Sequence, residues 1–493
     1  MLASIDMARV AVSSALDAEK RSRLGQYMTP ASVARFMASL FSPSGVGSCR
    51  LLDPGAGMGA LSAAFLERWK SGGFGFGDVS VTAFEVDPVL RGCLENTMAE
   101  AEAETGASCL ITGADFVESA VDSLAGDLFA RNHPPFTHAI LNPPYKKIGV
   151  HSRHRHLLRR VGIETVNLYS AFTALALEML APRGQLVAVI PRSFCNGPYY
   201  KPFREFILGR AAIRHMHLFG ARDRAFRDDG VLQENIIILL ERDARQGEVT
   251  VSTSTDDGFF DCVRRTYSFN RIVAPDDPDK FIHVPTTVET GCFPASSVFN
   301  HSLADLGVYV STGPVVDFRA RSHLRHTPED GTVPLLYPCH FGTATVEWPN
   351  DSAKKPGHLT RNNETEKLLF PNGFYTVVRR FSAKEEKRRI VANVVCPSTF
   401  ESPLLGFENH LNVFHSGKCG LPEKLAWGLF VFLNSTAVDQ YFRQFNGHTQ
   451  VNATDLRALK YPGAGVLECL GGWAGRHRRL TQAMIDEKLE SVS

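Results

Sequence analysis

Up to about residue 240 the chain alternates short apolar runs of strand length with amphipathic stretches of helical spacing, and this alternation limits the fold more than any other feature. The strand-like runs are Arg50 to Leu52, Val79 to Phe84, Thr137 to Leu141, Gln185 to Ile190, Ile213 to Leu218 and Asn235 to Leu240. Between them lie Ala31 to Leu40, Ala60 to Trp69, Ser170 to Leu180 and Pro202 to Leu208, each with apolar residues three and four apart. This order predicts an α/β fold, a mostly parallel sheet wrapped by helices. Beyond about Glu241 the rhythm breaks into short β-like segments such as TGPVVDF, VPLLYPCHF and NGFYTVVRRF, with helical spacing returning near Glu423 to Phe442. The expected organisation is one α/β domain over 1–245, a mixed α+β domain over 246–470, and a loosely attached, partly helical tail over 471–493.

A length of 493 residues exceeds one ordinary core and agrees with two lobes. No apolar run approaches the roughly 18 residues of a membrane span, and the start MLASIDMARVAVSS lacks the basic and apolar regions of a secretory signal. No membrane role and a cytoplasmic location are the expectation. The ten cysteines then read as reduced thiols; they form no C-x-x-C pair, so no metal is expected. The net charge of +1 says little, because 53 basic and 52 acidic side chains cancel globally.

Leu51-Leu52-Asp53-Pro54-Gly55-Ala56-Gly57-Met58-Gly59 closes a strand and opens a helix. Its glycines let the backbone turn sharply and approach a ligand closely. Alone such a turn serves many ligands or none. The next strand, however, ends in Phe84-Glu85-Val86-Asp87-Pro88, and a carboxylate there can accept both hydroxyls of a ribose. A third strand should end near Asp115-Phe116, where the acid can accept from an adenine amino group and the ring can pack on the base. An N-cap and a core aromatic are the plain alternatives for that pair.

Leu141-Asn142-Pro143-Pro144-Tyr145 follows directly on another strand-like run. Its prolines stiffen a loop that can hold the Asn142 amide and the Pro143 carbonyl outward as two convergent acceptors. An amino group on a heteroaromatic ring is a poor nucleophile because its lone pair is delocalised. Accepting both of its hydrogens frees that pair for attack on a methyl sulfonium. Tyr145 offers a ring on which an extruded base can stack.

In their order these motifs resemble those of gamma-class DNA adenine N6-methyltransferases of restriction-modification systems, the TaqI-like and PstI-like group. GQYMTP at Gly25 to Pro30 precedes the glycine loop, NLYSAF and VIPRSF follow Asn-Pro-Pro-Tyr, and AFRDDGVLQENIIILLE at Ala225 to Glu241 is similar to the group's last motif. The resemblance spans about residues 24 to 241. It implies a Rossmann-like domain that binds S-adenosylmethionine through Thr29, Asp53, Gly55, Gly57, Glu85, Asp115, Phe116 and Asn142. It also implies Asn142, Pro143 and Tyr145 as catalytic residues, and Phe226 as a second ring stacking on the flipped base. Segments 381–395 and 446–462 look like pieces of the group's C-terminal target-recognition domain. The implied substrate is double-stranded DNA carrying a short site, CTGCAG or a related palindrome by the PstI-like part of the likeness, with a separate cognate endonuclease as a possible companion.

DNA contacts are expected from two places. The run KKIGVHSRHRHLLRR from Lys146 to Arg160 holds six Lys or Arg and three His without an acid, which nominates Lys146, Lys147, Arg153 and Arg155. In the second lobe Arg388, Arg389, His448 and Gln450 are suitable in kind, beside Arg379, Arg380, Lys384, Lys387, Asn446 and Asn452. A solvated charged face is the plain alternative for all of them. The rival readings are an RNA or protein (glutamine) N-methyltransferase and a DNA-binding regulator that has lost its chemistry. A cytosine C5 enzyme needs a Pro-Cys nucleophile in the first lobe, and the one such pair, Pro338-Cys339, lies in the second.

Overall fold

The structure is a computed structural model that describes residues 1–15, 28–42, 47–126, 134–220, 234–285, 299–350, 354–383, 386–446, 449–477 and 479–492. The chain forms two compact units, Met1–Thr286 and Thr287–Ser493. Among the described residues no helix is long and apolar enough to cross a membrane.

The first unit is built on a nine-stranded sheet. Its strands are β1 (Ser48–Pro54), β2 (Asp78–Phe84), β3 (Ser108–Thr112), β4 (Phe136–Leu141), β5 (Leu180–Pro191), β6 (Ala211–Phe219), β7 (Asn235–Arg242), β8 (Val249–Ser254) and β9 (Val263–Tyr267). They lie in the order β3-β2-β1-β4-β5-β7-β6-β8-β9. Strands β1 to β5 are parallel, whereas β7 runs antiparallel to both of its neighbours. Every strand-like run read from the sequence lies inside one of these strands.

The longer helices are α1 (Leu2–Ala15), α2 (Ala31–Leu40), α3 (Ala60–Lys70), α4 (Pro88–Thr105), α5 (Phe116–Leu124), α6 (Arg153–Arg160), α7 (Leu168–Glu178) and α8 (Lys201–Arg210). Both faces of the sheet are covered, so its central strands are continuous apolar runs rather than alternating ones. Along β5, Leu186, Ala188 and Ile190 enter one core while Val187 and Val189 enter the other. In β7, Ile236, Ile238 and Leu240 oppose Ile237 and Leu239 in the same way, as the two-residue period of a strand requires. The chain leaves β1 toward β2 and β3 on one side and returns through β4 to the other. That reversal opens a crevice at the carboxyl ends of β1 and β4.

The boundary read near 245 moves to 286. Strand β8 pairs with β6 from His215↔Thr250 to Phe219↔Ser254, and β9 pairs with β8, so residues that read as the start of the second lobe complete the first sheet. A short strand shows in the sequence without its partner, and the partner decides which core it joins.

The second unit is mixed α+β. It holds a five-stranded sheet of residues 324–325, 358–360, 332–336, 404–407 and 369–371 in that order, and a four-stranded sheet of 309–312, 411–415, 375–379 and 392–395. Helices α9 (Glu423–Leu433) and α12 (Ala464–Ala474) cross closely at Gly428 and Gly471, where an added Cβ would meet the carbonyl oxygens of Leu467 and Lys424. Between them lie α10 (Thr436–Phe445) and α11 (Ala453–Ala458). The segment expected as a loose tail is instead docked through α13 (Gln482–Glu490). Ile485 and Leu489 are buried, and Asp486 accepts from the Thr436 N–H at 2.7 Å and its hydroxyl at 2.6 Å.

Candidate active site

The turn after β1 places Gly55, Gly57 and Gly59 at φ of 77°, 57° and 86°, a region that only glycine enters without strain. The N–H groups of Gly55 and Ala56 both donate to the Phe84 carbonyl at 2.9 Å, which stitches the loop to the end of β2. Gly57 N then donates 2.9 Å to Glu85 Oε2, and Asp87 N donates 2.8 Å to Oε1. Glu85 is buried. Burial raises its pKa, and the N–H groups of Asp87 and Gly57 hold it part of the way back. Each oxygen keeps acceptor capacity for a further hydroxyl donor.

Asp53 departs from its expected role. It is fully buried and accepts from Ser62 Oγ at 2.6 Å, so it ties β1 to α3 beneath the glycine loop and does not line the cavity above it. Burial pushes its carboxyl up to about 7.

Asp115 caps α5 by accepting from Glu118 N at 3.1 Å, and His154 Nε2 lies 3.1 Å from its other oxygen. Burial raises the Asp115 pKa, but the bonds from His154 and Glu118 outweigh it and the net direction is down. His154 is raised in turn, chiefly by the bond to Asp115. Phe116 is buried, edge-on to Phe84 at 5.2 Å and 5.0 Å from the Phe172 ring. The cap and core-aromatic readings of this pair are thus realised, and both residues also face the cavity.

Asn142 follows the last residue of β4. Its Nδ2 donates to Thr29 Oγ1 at 3.1 Å, and the Tyr145 hydroxyl lies 3.3 Å from both Asn142 Oδ1 and the Val189 carbonyl. The Tyr145 ring stands edge-on to Tyr169 at 6.2 Å. Pro143 is buried and Pro144 lines the cavity. One cavity at the carboxyl ends of β1, β2 and β4 is lined by Thr29, Gly55, Gly57, Glu85, Asp115, Phe116 and Asn142. The sequence reading missed several members of its wall, Arg9 and His154 among them. Arg9 of α1 is buried and bonded to Asp6 Oδ1 at 2.8 Å, and His154 belongs to the run taken for DNA contacts. Neither carries a local signal beyond its charge.

That basic run needs correction. Its second half folds as α6, and its arginines meet carboxylates both distant in sequence and just beyond the run. Arg153 pairs with Glu118 at 2.9 Å, Arg155 with Glu164 at 2.6 Å, Arg159 with Glu164 at 2.6 Å and Arg160 with Asp122 at 3.5 Å. Arg155 is largely buried, while Arg153 keeps an exposed side chain. Lys147 is exposed, and the exposed Lys146 borders the cavity.

In the second unit Arg389 is buried, donating to Ser382 Oγ at 3.1 Å and Asn446 Oδ1 at 2.7 Å. Arg388 reaches the Ser435 carbonyl at 2.9 Å and the Gln482 amide. Both act inside the unit, where backbone carbonyls, hydroxyls and amides take the bonds that phosphates were expected to take. Gln450 is partly exposed and accepts from Arg380 at 3.3 Å. Phe226 and His448 lie outside the described residues.

Residues 100–226 match the family described as Eco57I restriction-modification methylase. The chain is 48% identical over 495 residues to the type II methyltransferase M.BsuBI of Bacillus subtilis, covering 100% of this chain and 98% of that protein. It is 43% identical to the type II methyltransferase M.PstI of Providencia stuartii, covering 94% and 92%. Among solved structures, the type IIL restriction-modification enzyme MmeI, determined in complex with DNA, is similar in fold with a TM-score of 0.50 and 10% identity, over 98% of this chain and 72% of that one.

Proposed function

Because the chain belongs to the type II DNA methyltransferases of restriction-modification systems, we propose that it transfers a methyl group from S-adenosylmethionine to N6 of an adenine in a short duplex DNA site. The observation that carries this reading is the Asn142 amide at the edge of the cavity, turned one way by Thr29 and the other by the Tyr145 hydroxyl.

The residues present fit S-adenosylmethionine. Glu85 presents a backbone-held carboxylate to a ribose, Asp115 an acceptor to an adenine amino group, and Phe116 an apolar wall, while the glycine turn leaves room for close approach. When bound, the cofactor supplies an electrophilic methyl group. Asn142 Oδ1 and the Pro143 carbonyl accept the two amino hydrogens of the target base and localise its lone pair on nitrogen. The Tyr145 hydroxyl releases Oδ1 for that purpose and keeps the Val189 carbonyl as its partner. Its ring then stacks on the extruded base, with Phe226 as the opposing face.

The first unit performs transfer, and the second selects the target, in keeping with the likeness of 381–395 and 446–462 to recognition-domain segments. In a cell the product protects the site from a cognate endonuclease. The test is to incubate the protein with tritiated S-adenosylmethionine and unmethylated genomic DNA, then identify the labelled base and its flanking sequence. N6-methyladenine in one recurrent motif supports the reading, with a CTGCAG duplex as the first defined substrate. Label in cytosine, RNA or protein overturns it.

A further inference from the structure

Two segments set apart in the sequence meet on one patch of the second unit. Phe381 bridges Gln450, Ser382 N donates to the Thr449 carbonyl at 3.0 Å, and Val451 N donates to the Arg380 carbonyl at 2.7 Å. A third segment, the turn 408–410, joins them where Arg380 N donates to the His410 carbonyl at 2.8 Å. Glu408 is fully buried beneath this turn. Its Oε2 accepts from His410 N at 2.9 Å and its Oε1 bonds the His410 Nδ1. The imidazole, 44% exposed, is thus fixed through one nitrogen, and Nε2 is on the far side of the ring. Beside it stands the Phe381 ring, 40% exposed, with centroids 5.0 Å apart.

Arg380 completes the patch. Its guanidinium bonds two neutral oxygens, the Asn409 carbonyl at 3.2 Å and Gln450 Oε1 at 3.3 Å, and among the described residues it pairs with no carboxylate. Its neighbour Arg379 is paired with Glu386, and Arg388 and Arg389 are satisfied internally.

We propose that Arg380, Phe381, His410 and Gln450 form a site that reads base edges of duplex DNA. The proposal rests on the reading of the chain as a DNA methyltransferase and deepens it. A guanidinium without a carboxylate partner suits the acceptor edge of guanine. A fixed imidazole nitrogen and an amide suit directional hydrogen bonds, and an exposed ring suits the thymine methyl. Contacts that merely position a duplex go to phosphate and sugar and need no group fixed against a base edge. Here Glu408 and the bridge to Gln450 hold the groups in place beforehand, as discrimination between bases requires.

The experiment uses the full chain. Methylation kcat/KM is measured on the preferred duplex and on each of its single-base-pair variants, at two salt concentrations, for the wild type, His410→Ala and Phe381→Ala. The expected result is a loss of discrimination of about ten-fold or more at one or two positions, with the salt dependence unchanged. Equal loss on every duplex with a shallower salt dependence identifies a phosphate clamp and overturns base reading. Unchanged discrimination in both variants also overturns it. Phe381 is partly exposed, so its truncation leaves no buried hole if the His410 variant proves unstable. A wild type that methylates no duplex removes the underlying reading itself, and this is seen before any variant is compared.

Discussion

The Asn142 amide nitrogen lies 3.1 Å from the Thr29 hydroxyl, a contact between residues 113 apart in sequence that orients the amide in the Asn-Pro-Pro-Tyr loop. With the Tyr145 hydroxyl on the opposite side, it directs Oδ1 rather than Nδ2 toward a donor. On the proposed mechanism, Asn142→Ala removes an acceptor that matters in the transition state. We expect kcat to fall by about a hundred-fold or more while the affinity for S-adenosylmethionine changes little. Single-turnover rates and equilibrium dialysis separate the two, and equal losses in both would contradict the assignment.

Thr29→Val keeps the shape of the side chain and removes the hydroxyl. Losing one orienting hydrogen bond costs about 1 kcal/mol, so kcat should drop roughly five- to ten-fold. A variant with full kcat would show that the amide is oriented by other means.

Glu85→Gln places an amide against two N–H donors, those of Gly57 and Asp87, where a carboxylate now accepts from both. The Kd for S-adenosylmethionine should rise about a hundred-fold, while kcat at saturation moves far less. Calorimetric titration provides the affinity. A saturated rate that collapses with unchanged Kd would assign Glu85 to the reaction instead.

Acid should destabilise the first unit through its buried histidines, opposed in part by Asp53, whose raised carboxyl takes up a proton first in the folded chain. His215 Nε2 and His217 Nδ1 share the Ser252 hydroxyl at 2.7 and 2.8 Å, and His217 Nε2 reaches Ser254 at 3.1 Å. Burial, with the nearby Arg264 charge, lowers His215 to about 4 and His217 to about 3, and burial lowers His138 to about 4. In each case the folded pKa lies below the unfolded value, so the unfolded chain takes up protons first. Stability is therefore full above about pH 7, falls as pH drops from 6.5 toward 4, and levels off once the folded form also protonates. A histidine held neutral down to pH 4 contributes up to about 3 kcal/mol. Melting temperatures recorded between about pH 7.5 and 4.5 check this, and a flat profile contradicts it.

Much of the first unit was legible because its signals are local. The short apolar runs of β4 and β7 and the three-and-four spacing of α2 mark strands and a helix without reference to a partner. The glycine turn, Glu85, Asp115 and Asn142 could be placed together because each ends a strand of one parallel sheet, and such ends share one edge by construction. Asp53 shows the limit of that argument. It stands one turn from the cavity with the same chemistry as Glu85, yet its side chain goes under the loop to Ser62.

By itself, then, the sequence determined the order of the elements, the parallel sheet and the set of groups at its carboxyl edge, all of which follow from spacing along the chain. Only the tertiary structure decided which charges remain available. Arg153 and Arg160 find Glu118 and Asp122 more than thirty residues away, Arg389 is enclosed with Asn446, and among the described residues Arg380 pairs with no carboxylate. It likewise decided that β8 and β9 complete the first sheet, because β6 offers a free edge to pair with. The physical reason is range. Periodicity is a property of neighbours in sequence, whereas the burial and pairing of a long charged side chain, or of a short strand, depend on which distant segment packs against it.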